Sequence, residues 1–227
     1  MTKYTHEPKI TSVQVLDSSE LYPVHRVFCV GRNYADHARE MGHDDREPPF
    51  FFMKPSHAVS HHRQHPYPDQ TTNYHFEMEL VIAIGKGGAR IPTEQAIDHV
   101  YGYAVGIDFT RRDLQQAAKD KGRPWEIGKS FDSSAPISPI SCLPSNFSIK
   151  DQRITLSVND QVKQDSTIAS MIWSVEEIIA HLSIYFELQP GDLIFSGTPA
   201  GVGAVVAGDR LFGSVSGVGK IEIDITR

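Results

Sequence analysis

Three carboxylates and one imidazole are the side chains of this sequence best placed to do chemistry. Glu77 and Glu79 alternate within the run His75-Phe76-Glu77-Met78-Glu79-Leu80-Val81-Ile82-Ala83-Ile84. On a strand, successive side chains point to opposite faces, so Glu77 and Glu79 share a face with Val81 and Ala83. Two anions on a half-buried face repel each other and lose hydration unless a cation or a shared proton compensates. Exposed glutamates at a strand start would give the same pattern. A third acid, Asp108, closes the apolar run Tyr101–Ile107 just ahead of a helical signal. An all-oxygen set of two Glu and one Asp suits Mg²⁺ or Mn²⁺ and leaves positions open for water or substrate.

His37 and Glu40 stand at i and i+3 in Gly31-Arg32-Asn33-Tyr34-Ala35-Asp36-His37-Ala38-Arg39-Glu40-Met41-Gly42. On a helix they can meet, which makes either a general base oriented by a carboxylate or a plain surface ion pair. Lys129 lies in Gly122-Arg123-Pro124-Trp125-Glu126-Ile127-Gly128-Lys129-Ser130. The spacing between its glycines and the Pro-Trp pair exclude a phosphate-binding loop, leaving a charge stabiliser or a surface lysine. Too little chain follows the glycine-rich Ser196–Gly203 stretch for a dinucleotide fold, and there is no Gly-x-Ser-x-Gly elbow. His57, His61, His62 and His65 cluster among prolines and glutamines and read as a polar loop, not a zinc site.

The elements that must carry these residues are short. Strands are expected at Val27–Val30, Phe50–Met53, Phe76–Ile84, Tyr101–Ile107, Ile154–Val158, Leu193–Phe195 and Lys220–Ile225. Ser174 and Glu177 form a capping box ahead of an amphipathic helix. Asn33 is expected to cap a helix over 34–41, and Thr110 with Asp113 another that ends near Gly122. Short strands, scattered helices and 14 prolines predict an α+β fold without regular βαβ winding. A loose leader over 1–20 and one catalytic domain over 21–227 are expected.

Composition sets the outer limits. The 227 residues carry 22 Lys+Arg against 28 Asp+Glu, and that net charge of -6 argues against nucleic-acid and anionic-membrane partners. Two cysteines support no disulfide framework, no apolar run approaches a membrane span, and the polar first residues predict no signal peptide, so a cytoplasmic protein is expected.

Taken in order, Gly31-Arg32-Asn33-Tyr34-Ala35-Asp36-His37, Lys54-Pro55-Ser56, Glu77-x-Glu79, Gly106-Ile107-Asp108, Arg112-Asp113, Gly128-Lys129-Ser130-Phe131 and Gly197-Thr198-Pro199-x-Gly201-Val202-Gly203 resemble the fumarylacetoacetate hydrolase family. The likeness covers about residues 24–225. His37–His43, Pro48–Phe52 and Thr110–Gln115 look like its fumarylpyruvate-cleaving, acylpyruvase branch. Ile107 departs from the Asn that many members carry before the metal Asp.

The resemblance implies a mixed β-sandwich roll with peripheral helices, usually a homodimer. It implies Mg²⁺ or Mn²⁺ on Glu77, Glu79 and Asp108, a catalytic set of His37, Glu40, Lys129 and Gln115, and substrate contacts from Arg32, Gly197 and Thr198. The implied substrate is a small diketo acid. Water activated by His37 with Glu40 would attack its 4-carbonyl, and C–C scission would release fumarate and pyruvate, as in gentisate degradation. Oxaloacetate decarboxylation, or decarboxylation with isomerisation, is the alternative on the same scaffold. A non-catalytic metal-binding protein is the remoter one.

Overall fold

The computed structural model describes residues 5–7, 9–34 and 47–227. A five-stranded mixed sheet lies at its centre, in the order Phe50–Lys54, Val27–Gly31, Leu193–Phe195, Met78–Ile84, Val100–Ile107. Leu193–Phe195 runs parallel to Val27–Gly31, and the other neighbours in this sheet are antiparallel. Both faces of the sheet are covered. Leu80, Ile82, Val105 and Ile194 pack with Leu156, Leu211 and Ile223 of a second sheet and with Ile178 and Leu182 of a helix. Val81, Ala83, Ala104 and Phe195 pack on the other side against Val13, Val15, Ile137 and Ile140. Met78–Ile84 is therefore buried at every position, which explains its unbroken apolar character.

The second sheet is ordered Gln161–Thr167, Arg153–Val158, Arg210–Val215, Gly219–Thr226, Gln64–Pro66. Arg153–Val158, Arg210–Val215 and Gly219–Thr226 alternate buried and more exposed residues, as strands with one face toward solvent must. The architecture is the expected α+β fold of packed sheets with few short helices, here called α1 (Arg112–Lys119), α2 (Glu126–Lys129) and α3 (Val175–Tyr185).

Several local expectations change. The capping box stands as read: the Ser174 hydroxyl accepts from Glu177 N–H, and the Glu177 carboxylate accepts from Ser174 N–H. Thr110 and Asp113 do not cap α1. Thr110 turns back to the Asp108 carbonyl, and Asp113 accepts from Thr71, Thr72 and Leu114 N–H. The leader tightens from Thr11 onward, because Val13 and Val15 complete the second core and Ser12–Gln14 pairs with Leu21–Pro23. The histidine-rich stretch contains two short strands instead of a plain loop. His65 is buried there, stacked 4.4 Å from Phe109 and hydrogen-bonded to the Tyr74 hydroxyl at 2.6 Å.

Candidate active site

Strand register assembles the acids. Met78 pairs with Ile107 and Glu79 with Gly106, and Asp108 N–H donates to the Glu77 carbonyl at 2.8 Å. The expected strand Phe76–Ile84 is interrupted at Glu77, between Tyr74–Phe76 and Met78–Ile84. Glu77, Glu79 and Asp108 are all buried, and each offers one oxygen in a group that lies within 4.8 Å.

Cations surround two of these acids and leave the third short. Lys129, at the end of α2, donates to Glu77 Oε2 at 2.8 Å and to Asp108 Oδ2 at 2.7 Å. Arg112, at the start of α1, donates to the other oxygen of Glu77 and to Gln115 Oε1. Burial works to raise the Glu77 pKa, but Lys129 and Arg112 hold it well below the usual carboxylate range. Burial lowers that of Lys129, but Asp108 and Glu77 more than restore it. Glu79 accepts from Gly197 N–H at 2.8 Å, and its pKa is driven well above the usual range by burial, then by Asp108 and Glu77. Asp108 Oδ1 is buried and accepts no aligned hydrogen bond, although Lys54 Nζ lies 2.8 Å away. A buried acid whose ionisation its neighbours oppose, beside a carboxylate oxygen that accepts no aligned hydrogen bond, is an environment that one more cation would relieve. The donor set fits Mg²⁺ or Mn²⁺.

The site leans on residues to which the sequence reading gave no role in it. Lys54 is fully buried at the end of Phe50–Lys54, where it also donates to the Lys129 carbonyl and to the Ser134 hydroxyl. It thereby joins a candidate ligand to the backbone that carries Lys129. Its signals in the sequence are its place at the end of an aromatic strand and in the Lys54-Pro55-Ser56 motif. Asn33 is fully buried, and Tyr34 beside it lies in an extended bridge with Met171. Its amide donates to the Trp173 and Ser196 carbonyls, and its oxygen accepts from Trp173 N–H. Gly197 (φ +93°) passes so close that a Cβ there would lie 2.7 Å from Asn33 Cβ. Gly128 likewise lets α2 approach α1, because its Cβ would lie 2.8 Å from Gln115 N.

A cleft of about 480 Å³, counting its open mouth, brings Glu77, Glu79, Arg32, Gln115, Lys129 and Thr198 to one surface. The Thr198 hydroxyl accepts from the Gln164 amide, which reaches over from the second sheet. Arg32 has φ +58° and lies over the Phe50 ring at 5.4 Å. The expected residues Glu77, Glu79, Asp108, Lys129, Gln115, Arg32, Gly197 and Thr198 thus fall at or beside one cleft. His37, Glu40 and all of the helix expected over 34–41 except Tyr34 lie outside the described residues.

A mixed sheet covered on both faces, with a buried triad of acids and a lysine at the floor of a cleft, defines a scaffold for divalent-cation chemistry on small anions. The family model described as fumarylacetoacetate (FAA) hydrolase C-terminal matches residues 26–226, and the chain belongs to the fumarylacetoacetate hydrolase family. It is 50% identical to a fumarylpyruvate hydrolase of Ralstonia sp over 181 residues, 79% of this chain and 93% of that one. It is 39% identical over 196 residues to the human mitochondrial oxaloacetate tautomerase FAHD1, covering 85% of this chain and 87% of the relative. Its fold matches the crystal structure of fumarylpyruvate hydrolase from Pseudomonas aeruginosa in complex with Mn²⁺ and pyruvate. That likeness has a TM-score of 0.96 and 51% identity, over 99% of each chain.

Proposed function

We propose that this protein is a metal-dependent hydrolase that cleaves fumarylpyruvate, a 2,4-diketo acid, into fumarate and pyruvate. The observation that carries the reading is the buried triad Glu77, Glu79 and Asp108 with Lys129 against it, in a chain half identical to a fumarylpyruvate hydrolase. A bound Mg²⁺ or Mn²⁺ supplies Lewis-acid polarisation of the 2-oxo acid and a template for it.

The chain's own groups do the rest. His37, backed by Glu40, takes a proton from water, whose oxygen bonds to C4 of the substrate. Lys129 and Gln115 hold the oxyanion that develops there, and positioned donors of this kind are typically worth about 10²–10³ in rate. The C3–C4 bond then breaks, its electron pair going to C3. Fumarate leaves from one side, and pyruvate forms when C3 is protonated. Thr198 and Gly197 hold the pyruvyl carboxylate, and Arg32 holds the substrate at the rim. The same reading assigns the reaction to a cytoplasmic homodimer in gentisate breakdown, on the strength of the family resemblance. Light scattering on the purified protein tests the dimer. No described helix is long and apolar enough to cross a membrane.

The deciding experiment follows the diketone chromophore with fumarylpyruvate, acetylpyruvate and oxaloacetate, each with Mn²⁺ and with chelator. Metal-dependent release of fumarate and pyruvate is expected. Turnover of oxaloacetate alone would move the assignment toward the chemistry of the 39%-identical tautomerase, or toward decarboxylation.

A further inference from the structure

We propose that Lys119, together with Arg32, forms a cationic outer pole of the cleft that selects acylpyruvates whose acyl group ends in a carboxylate. This rests on the acylpyruvate reading above and names the residues that set its substrate class. Arg112, Gln115 and Lys119 stand at i, i+3 and i+7 of α1, so they share one face of the helix, and all three line the cleft. They differ in what engages them. Arg112 is committed to Glu77 and to Gln115 at the inner end. Among the described residues Lys119, one turn beyond Gln115, makes no ion pair or side-chain hydrogen bond, and Arg32 makes no ion pair and lies over the Phe50 face.

Lys119 is half-buried, not a freely solvated lysine. Its pKa is pushed down by burial first and then by Arg32 and Arg112, with Asp120 pulling weakly the other way. Neighbouring cations at a cleft wall repel one another until an anion settles between them. Aromatic rings line the cleft as well: Phe50 meets Trp125 edge-on at 5.4 Å, and Phe52 lies 6.0 Å from the same ring. The cleft thus joins buried acids with Lys129, aromatic rings of which Phe52 faces Lys129 at 5.2 Å and Phe50 faces Arg32 at 5.4 Å, and the half-buried cations Arg32 and Lys119. A planar, conjugated chain with a carboxylate at each end complements all three zones. An acetyl group leaves the outer zone unused.

The test compares kcat/KM for fumarylpyruvate and acetylpyruvate in the wild-type protein and in Lys119→Met, with Mn²⁺ present. The ratio of fumarylpyruvate to acetylpyruvate should fall by about 10–100-fold, the usual weight of one charge-assisted hydrogen bond. The loss should lie mainly in KM, and Lys119→Arg should recover part of it. An equal loss on both substrates, or no loss, overturns the assignment. If the wild-type protein cleaves neither substrate, the acylpyruvate reading fails, and calorimetric titration with fumarate decides the pole separately. Binding that weakens about tenfold or more in Lys119→Met supports it, and unchanged or absent binding overturns it.

Discussion

The two five-stranded sheets use the same charged residue types to opposite ends. In the second sheet, Arg153 pairs with Asp165, and Arg63 and Arg210 both reach Asp224, on faces open to water. Those pairs are screened and add little to stability. At the end of the central sheet, Lys54, Lys129 and Arg112 meet Glu77 and Asp108, beside the buried Glu79, with little solvent. There each charge is desolvated, and the set is balanced only as a set. The contrast shows where the fold carries unfavourable electrostatics, and the acid left short, Glu79, stands where a bound cation would relieve them.

The sharpest break of this contrast is Lys54→Met, which strips a buried carboxylate of its neighbour while keeping the volume of the side chain. We expect a loss of roughly 3–5 kcal/mol in denaturant unfolding. A loss no larger than that of a surface pair would erase the distinction between the two sheets.

Glu79→Gln separates function from stability at the same site. Loss of a supporting residue around a metal typically costs about 10–100-fold in affinity, and loss of a ligand should cost at least the upper end of that range by Mn²⁺ titration. Because burial and two neighbouring acids oppose ionisation of Glu79, the metal-free variant should melt higher than the metal-free wild type at neutral pH. A lower melting temperature would count against the repulsion.

His65 joins the edge of the second sheet to the Tyr74 and Phe109 rings. Burial lowers its pKa from 6.5 to about 4. The unfolded chain takes up this proton first, so the contribution of the neutral ring is complete above pH 6.5 and drains away as pH falls toward 4. The effect is on the order of 2–3 kcal/mol, and His65→Gln should flatten stability across that window. A slope identical to that of the wild type would remove His65 as its source. The smallest effect is expected at Arg153→Ala, which should leave the melting temperature unchanged within error. A clear drop there would mean that the exposed pairs matter as much as the buried ones.

How much of this was legible depends on the range of the contacts. The capping box at Ser174 and the strands around Leu80, Ile154 and Leu193 were readable because pattern and propensity act over a few residues. The strand Gln161–Thr167 was not readable, since it is polar almost throughout and is held by its pairing to Arg153–Val158. His65 carried no local mark of burial, because the rings that enclose it come from residues 74 and 109.

The site divides along the same line. By itself the sequence determined which groups are available: the paired glutamates, the aspartate at a strand end, the lysine after Gly128, and the ordered motifs that mark the family. Tertiary structure alone decided their electrical state. Which acid is neutralised and which is left short depends on Lys54, Arg112 and the Gly197 amide, which reach the triad from a strand end, a helix start and a loop. Asn33, which ties the Arg32 turn to Ser196, does so across 163 residues. Charge interactions in a desolvated space depend on distances of a few ångströms, and residue order does not specify such distances until the chain has folded.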